Sequence, residues 1–326
     1  MKSWMAALVM ALVTLICSTA EAADGTAHRA KMLKVTTLST MVADTKGFGE
    51  WGYAALVEVD GKRILFDTGA DPDIVLRNAK MLKVDLSTVE DVIITHFHDD
   101  HTGGLITLRK AMMAKNPSAL SHLHVGAGIF DARFEAGGAA PNENGFSDLA
   151  KAYLATGGRI SEVSAPAELV TGVWLTGPVP RGHAETNWNA GLFIEAGGTL
   201  VPDTVREDSS LVIATAAGTV IITGCGHAGI MNIADAAGAI TGDSRLHAVI
   251  GGIHLFAKPD AVLVETAGRL KGLAYLLGGH CTGIEATVRL RALLGLDQRT
   301  AVVAAVGSSF AFGKGIEAGW IAGWAG

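Results

Sequence analysis

Cysteine and charge are both scarce in this chain, and each scarcity narrows the classes of protein it can be. Only three cysteines occur among 326 residues, too few for a small scaffold held together by disulfides. Charged residues make up 18% of the sequence, the formal net charge is −6, and no basic stripe is present, so nucleic acid is not an expected partner. Because 49% of the residues are hydrophobic, a sizeable core can form.

Long apolar runs are also rare, and the first one lies at the start of the chain. A short basic start precedes an apolar stretch, which ends in small residues and an A-x-A pattern at Ala22. This order predicts a signal peptide over residues 1–22, a periplasmic or secreted location, and no stable membrane insertion after cleavage. Residues 23–326 are then expected to form one domain. A lipid anchor at Cys17 is disfavoured because Ile16 precedes it, where a small residue is needed.

The remaining sequence alternates between strand and helix patterns. Asp60-Gly61 and Ala217-Gly218 each separate two apolar runs, as hairpin turns do. The runs Val92–Thr95 and His247–Gly251 predict buried strands. Strand pairs followed by alternating strands and helices indicate a layered α/β fold. Residues 133–146 are interpreted as an exposed loop or lid.

The strongest chemical signal directly follows one of these predicted strands. Four side chains of metal-ligand type, His96, His98, Asp100 and His101, fall within six residues, before a predicted helix over Gly103–Asn116. In an extended backbone an H-x-H step points two imidazoles the same way, and the Asp-His step offers ligands to a second position. Imidazole and carboxylate suit zinc, and also iron or manganese. The pattern therefore predicts one loop that serves two divalent metal ions, with zinc preferred.

The motif His96-x-His98-x-Asp100-His101, followed by Thr-Gly-Gly-Leu, resembles the metal-binding signature of the metallo-β-lactamase superfamily. An upstream Leu-Phe-Asp-Thr-Gly segment that contains Asp67 matches the first motif of that superfamily. The resemblance implies a four-layer αβ/βα sandwich with the metal ions at one edge. It also implies that Asp67 supports the ligand loop rather than binding metal.

Three downstream segments narrow the resemblance. Gly-Cys-Gly-His at 224–227, Gly-Gly-Ile-His at 251–254 and His-Cys-Thr-Gly at 280–283 are similar to a subgroup. This subgroup is described as similar to 7,8-dihydropterin-6-methyl-4-(β-D-ribofuranosyl)aminobenzene-5'-phosphate synthase. An exported protein is an unexpected member of that biosynthetic route, so the substrate is not carried over.

The remaining metal ligands are predicted with alternatives left open. His227 is favoured over its neighbour Cys225, which is either a thiolate ligand or a buried thiol. His280 is preferred as the last ligand, with His254 as a further ligand or a supporting group. Four residues are predicted to be either metal ligands or supporting groups: Asp67, His183, Cys225 and His254. A disulfide between Cys225 and Cys281 competes with a metal role. The histidines outside these motifs are interpreted as surface or strand residues: His28, His122, His124 and His247.

The expected function is metal-dependent hydrolysis of a small-molecule substrate. A pair of divalent ions lowers the pKa of a bound water toward neutrality and polarises the substrate. Asp100 and His227 are the predicted catalytic residues, with Asp100 both ligating one ion and orienting the nucleophile. An ester, lactone or phosphate-ester bond is the expected target. The alternatives are a periplasmic β-lactamase and a non-catalytic metal- or ligand-binding protein on this fold; the sequence does not indicate the oligomeric state.

Overall fold

A computed structural model describes residues 28–135, 146–188 and 190–323 of this protein. The expected signal peptide over residues 1–22 lies outside the described residues, as does most of the segment interpreted as a lid. Within the described part, none of the helices combines the length and apolar character needed to cross a bilayer.

Short strands make up most of the regular structure. In chain order they are β1 (Leu33–Ser39), β2 (Ala54–Val59), β3 (Lys62–Phe66), β4 (Asp91–Ile94), β5 (His122–Gly126), β6 (Arg133–Glu135), β7 (Arg159–Val163), β8 (Ala167–Val170), β9 (Val173–Leu175), β10 (Leu192–Ala196), β11 (Thr199–Pro202), β12 (Leu211–Thr215), β13 (Gly218–Thr223), β14 (Leu246–Gly251), β15 (Tyr275–Gly278), β16 (Ala301–Val303), β17 (Ser309–Ala311) and β18 (Gly315–Glu317). The helices are α1 (Ile74–Met81), α2 (Asp99–Thr102), α3 (Leu105–Met113), α4 (Phe146–Leu154), α5 (Ile230–Thr241), α6 (Asp260–Arg269) and α7 (Ile284–Leu293), with a 3₁₀ turn at His280–Thr282.

Two mixed sheets face each other. The first has the order β18-β17-β1-β2-β3-β4-β5-β7 and the second the order β16-β15-β14-β13-β12-β9-β8. Both predicted hairpins are present, since β2 pairs with β3 and β12 pairs with β13 in antiparallel register. The parallel neighbours β3, β4 and β5 in the first sheet, and β13, β14 and β15 in the second, end toward one edge of the molecule.

Alternating side chains of the strands divide the interior into three apolar regions. Phe66, Ile222 and Leu277 belong to the core between the two sheets. The opposite face of the first sheet packs against α1, α3 and α4, and that of the second sheet against α5, α6 and α7. Burial of these faces is the main stabilising contribution to the fold. The resulting helix–sheet–sheet–helix order confirms the expected four-layer αβ/βα sandwich.

The segment interpreted as an exposed loop differs from that prediction at both ends. Arg133 begins strand β6 and only 2% of its side chain is exposed, and Phe146 begins helix α4 in the outer core. Strand β6 joins β10 and β11 in a third, three-stranded sheet that no pattern in the sequence predicted. Its contacts with Asp203 and Glu207 explain the burial of Arg133, because a buried guanidinium requires acidic partners, and both of these lie about seventy residues further along the chain. Residues 136–145 lie outside the described residues.

Candidate metal centre

The predicted ligand residues meet at the edge where the parallel strands of both sheets end. Asp67 follows β3 and His96 follows β4 in the first sheet. His227 follows β13 and His280 follows β15 in the second sheet, with His254 after β14. The sandwich therefore brings together side chains that are more than a hundred residues apart in the chain. Loops that leave rigid strands are well suited to hold ligands in fixed positions.

The loop after β4 changes direction at His98. His98 is extended (φ −62°, ψ 144°) and immediately precedes α2, so Asp100 and His101 lie on a helical turn that begins earlier than the sequence predicted. Nε2 of His96 lies 2.9 Å from Nδ1 of His98, and the ring centroids of His96 and His101 are 4.2 Å apart. The loop thus points three imidazoles toward one small volume.

Asp67 contacts both the start and the end of this loop. Its Oδ2 accepts a hydrogen bond from Thr95 Oγ1 at 2.9 Å and lies 2.7 Å from Nδ1 of His101. Asp67 has φ 57°, a left-handed conformation that is costly for a non-glycine residue and that frequently occurs at functional sites. A Cβ atom on Gly224, the residue after β13, would lie 2.4 Å from both Oδ2 of Asp67 and Oγ1 of Thr95. Only glycine therefore fits at this position.

A first set of ligand atoms surrounds His96, whose side chain groups with Cys225 and His227 and also with His98 and Asp100. The ring of His227 lies 4.6 Å from that of His96 and 4.9 Å from that of His98. Nδ1 of His227 donates a hydrogen bond to the carbonyl oxygen of Asn187, so the lone pair of the neutral ring is on Nε2. That Nε2 is buried and has no hydrogen-bond partner among the described residues. An unpartnered buried nitrogen of this kind fits a metal ligand.

A second group contains Asp100, His101, Cys225 and His280, whose ligand atoms all lie within 4.8 Å of one another. Nε2 of His280 is 3.3 Å from both Nε2 of His101 and Oδ2 of Asp100. His280 has φ 46°, a second left-handed residue at the site. Two nitrogens and a carboxylate oxygen at these separations are close enough to share one metal ion.

Cys225 lies between the two groups. Its Sγ is 3.2 Å from Nε2 of both His101 and His280, and it also falls within ligand range of His96 and His227. Sγ of Cys281 is 3.3 Å away, and both cysteines are free thiols in the structure. Sγ of Cys225 is therefore within ligand range of both groups, and it lies beside His227 rather than in its place.

The electrostatics favour cation binding. Burial lowers the pKa of both His96 and His227 well below the ordinary histidine value, so both rings are neutral and can ligate. Burial opposes ionisation of Asp100, but its hydrogen bond to His280 and the charge of His101 hold its pKa below the usual range. Burial also disfavours protonated His101, yet the charge of Asp67 and its hydrogen bond raise the pKa of His101 to about 9. Without a metal ion His101 therefore carries a second proton; a metal ion at Nε2 would replace that proton, and the charges of Asp67 and Asp100 would stabilise the ion instead.

The other candidate residues have different positions. The ring of His254 lies 4.7 Å from that of His227, and the His254 side chain groups with Cys225 and Cys281. His183 is partly exposed and pairs with Asp235 at 2.8 Å; it belongs to none of the ligand groups found among the described residues. Arg181 donates to the carbonyl oxygen of His227 at 2.8 Å, so it supports the ligand loop rather than being only a surface charge.

Several residues at the site carried no signal in the sequence. Trp51 is 50% exposed, and its ring lies 5.0 Å from that of His280 and 5.3 Å from that of Phe256, which is itself 41% exposed. Asp208 is buried and its Oδ2 accepts the backbone N–H of Ala228 at 3.0 Å. Neither position follows a ligand-type motif, so spacing alone could not identify them.

The fold and this double ligand group define a class of protein. The model of the metallo-beta-lactamase superfamily matches residues 52–226, just over half of the chain. This protein belongs to the metallo-β-lactamase superfamily, as the sequence motifs predicted.

Particular relatives are similar over longer stretches. The 7,8-dihydropterin-6-methyl-4-(beta-D-ribofuranosyl)-aminobenzene-5'-phosphate synthase of Methanocaldococcus jannaschii is 31% identical over 263 residues, covering 76% of this chain and 87% of that protein. A second, uncharacterized protein of the same archaeon is 28% identical, covering 80% of this chain and 94% of its own. The crystal structure of Tm1679, a metal-dependent hydrolase of the beta-lactamase superfamily, covers 85% of this chain and 98% of its own, with a TM-score of 0.67 and 25% identity. The predicted subgroup is confirmed by the first of these relatives.

Proposed function

We propose that this protein is a metal-dependent hydrolase with two divalent ions, zinc preferred, held by the two ligand groups around Cys225. Nε2 of His227 gives the main support for two bound ions. This nitrogen is buried, has no hydrogen-bond partner among the described residues, and lies close to the ligand atoms of His96 and Cys225. Leaving such a nitrogen unpaired in an apolar interior is costly unless a ligand occupies its lone pair. His96, His98 and His227 would hold one ion, and Asp100, His101 and His280 the other.

When bound, the ions would supply Lewis acidity that polarises a substrate oxygen and lowers the pKa of water. The protein residues then have defined tasks. Asp67 fixes the orientation of His101, and Asp100 stays ionised and can accept a hydrogen bond from a water between the groups. The carbonyl oxygen of Asn187 fixes the tautomer of His227.

The substrate class follows from the rings beside the centre. Trp51 and Phe256 form a partly exposed aromatic wall next to His280, and exposed aromatic rings favour stacking with a planar ligand. The name of the archaeal relative refers to a phosphate and to pterin and aminobenzene rings. We therefore propose a phosphate ester or other ester that carries a planar ring. The N-terminal sequence supports a location outside the cytoplasm.

Turnover by metal-depleted protein reconstituted with zinc, manganese or iron tests this function. Aryl phosphate esters, aryl carboxylate esters, lactones and a β-lactam are the substrates. Hydrolysis of an aryl ester that requires metal and is lost in His227→Ala and His98→Ala is expected. Turnover of only the β-lactam supports a β-lactamase instead. Metal binding without any hydrolysis favours a binding protein, and metal-independent turnover contradicts the proposal.

A further inference from the structure

A second cluster of ligand-type side chains lies on the first sheet, toward the starts of β4 and β5, whereas the candidate metal centre lies beyond the strand ends. Asp91 is the first residue of β4, and His122 and His124 are alternate residues of β5, so all of them project from one face. Asp91 pairs in register with His122. His96 is five positions after Asp91 along β4 and the residues that follow it, a distance of roughly 16 Å at the usual rise of a strand. The cluster is therefore separate from the candidate metal centre.

The ligand atoms of this cluster are close to the separations that a metal ion requires. Oδ1 of Asp91 lies 2.8 Å from Nε2 of His124 and 3.2 Å from Nδ1 of His122. Atoms that share a tetrahedral zinc ion at about 2.0–2.2 Å are roughly 3.3 Å apart. Small adjustments of these side chains would admit an ion. Between 7% and 25% of each side chain is exposed, so an ion can enter from solvent.

The contacts of His122 show that a positive charge, the guanidinium of Arg159, already lies beside this cluster. Nε2 of His122 contacts Ser161 Oγ at 2.8 Å, while Nη2 of Arg159 lies 2.8 Å from Nδ1. A guanidinium only donates, so Nδ1 accepts and Nε2 carries the proton. The Nδ1 lone pair and the Asp91 carboxylate thus face each other, and the charge of Arg159 offsets their repulsion. A ligating histidine commonly donates its other N–H to a nearby acceptor, as His122 does to Ser161.

We propose that Asp91, His122 and His124 form an additional site for a divalent transition-metal ion, and that the guanidinium of Arg159 competes with the ion for this site. Arg159 has 59% of its side chain exposed, and it lies 3.5 Å from Glu90, toward which it can turn when an ion enters. Two imidazoles and one carboxylate suit zinc, iron or copper and leave room for water ligands. An ion here would connect β4 to β5 and so stabilise the strand that carries the His96 loop.

Zinc binding by the full chain tests this site. Wild type, His122→Phe, Asp91→Asn and the control His247→Phe are dialysed against micromolar free zinc, and zinc per chain is measured by mass spectrometry. His247 is a suitable control because it is a strand histidine packed against aromatic rings. Wild type and His247→Phe should hold one ion more per chain than the two site variants. Calorimetry of Arg159→Gln should show zinc binding about fivefold tighter at this site, because a competing exposed charge is removed.

Thermal unfolding adds a second readout. Zinc should raise the melting temperature of wild type more than that of Asp91→Asn, and chelator should abolish the difference. If His122→Phe does not fold, Asp91→Asn and Arg159→Gln carry the test alone. Equal zinc content in wild type and Asp91→Asn, together with unchanged zinc affinity in Arg159→Gln, would overturn the proposal.

Discussion

The carboxylate of Asp67 lies 2.7 Å from Nδ1 of His101, and both side chains are completely buried. The same carboxylate accepts the backbone N–H and the hydroxyl of Thr95, the residue that immediately precedes His96. A single side chain thus sets the start of the ligand loop and the orientation of a ligand at its end. This arrangement explains why Asp67 adopts a strained backbone conformation: the surrounding hydrogen bonds hold it there.

Replacing Asp67 by Asn should weaken metal binding without removing a ligand. The amide keeps the shape of the side chain but loses the charge that favours a cation at His101, so affinity should fall about 10- to 100-fold. Competition with a chelating dye measures this change. Asp85→Asn, at an exposed position, is the control. Unchanged affinity in Asp67→Asn would mean that His101 does not bind metal.

The two cysteines should respond differently to substitution. Cys225 lies between both ligand groups, whereas Cys281 touches Cys225 from one side. Cobalt-substituted wild type should show the near-ultraviolet absorption of a cobalt–thiolate bond, because metal coordination deprotonates a thiol whose pKa is otherwise raised by burial. Cys225→Ser should lose this band and Cys281→Ser should keep it. The reverse outcome would assign the thiolate to Cys281.

Trp51 should determine affinity for the ring of the substrate. Its turn is fixed by hydrogen bonds: the side chain of Glu50 accepts from the Ser39 hydroxyl and the backbone N–H of Asp71, and the backbone N–H of Tyr53 donates to the carbonyl oxygen of Asp100. Trp51→Ala should raise KM for an aryl ester about tenfold through lost stacking, with kcat and metal content nearly unchanged. Trp51→Phe should retain part of the affinity. Trp320, which is 85% exposed, provides the control Trp320→Ala. A fall in kcat alone would contradict a stacking role.

Glu207 should make the stability of the fold depend on pH. Burial raises its pKa from 4.5 to about 7, against the opposing charge of Arg133. Between these values the folded state holds a proton that the unfolded state has released, so the free energy of unfolding falls as pH rises from 4.5 to 7. The loss is on the order of 1–3 kcal/mol.

Chemical denaturation of wild type and Glu207→Gln across this range measures the effect. The variant cannot ionise at this position, so its stability should decline less with pH than that of wild type. Glu195→Gln, at an exposed position, should follow wild type. Parallel pH profiles for wild type and Glu207→Gln would show that the buried carboxyl is not responsible.

The sequence predicted the parts of the centre that depend on local order. His96, His98, Asp100 and His101 lie in one loop, and a buried strand with a following helix positions them in any layered α/β fold. The roles of His227 and His280 came from a resemblance, because the sandwich brings them to the loop over more than a hundred residues of chain. The fold does not bring His183 to the ligand loop; its side chain pairs instead with Asp235 on α5.

Contacts between distant segments determine what the sequence could not indicate. Arg133 looked like part of an exposed loop because a lone arginine in a polar segment is usually solvated. Its burial depends on two carboxylates about seventy residues later and on the ring of Phe97, 3.6 Å away. Trp51 was not predicted for the same reason: an isolated aromatic residue becomes part of a site only once the fold places it beside His280.

Anomalous X-ray diffraction at the zinc absorption edge, on crystals grown with zinc, tests the central claim most directly. We expect two peaks about 3.5–4 Å apart, one between His96, His98 and His227 and the other between Asp100, His101 and His280, with Sγ of Cys225 in contact with one or both. Crystals that show no anomalous peak within reach of these side chains would contradict a metal centre at this edge of the sandwich.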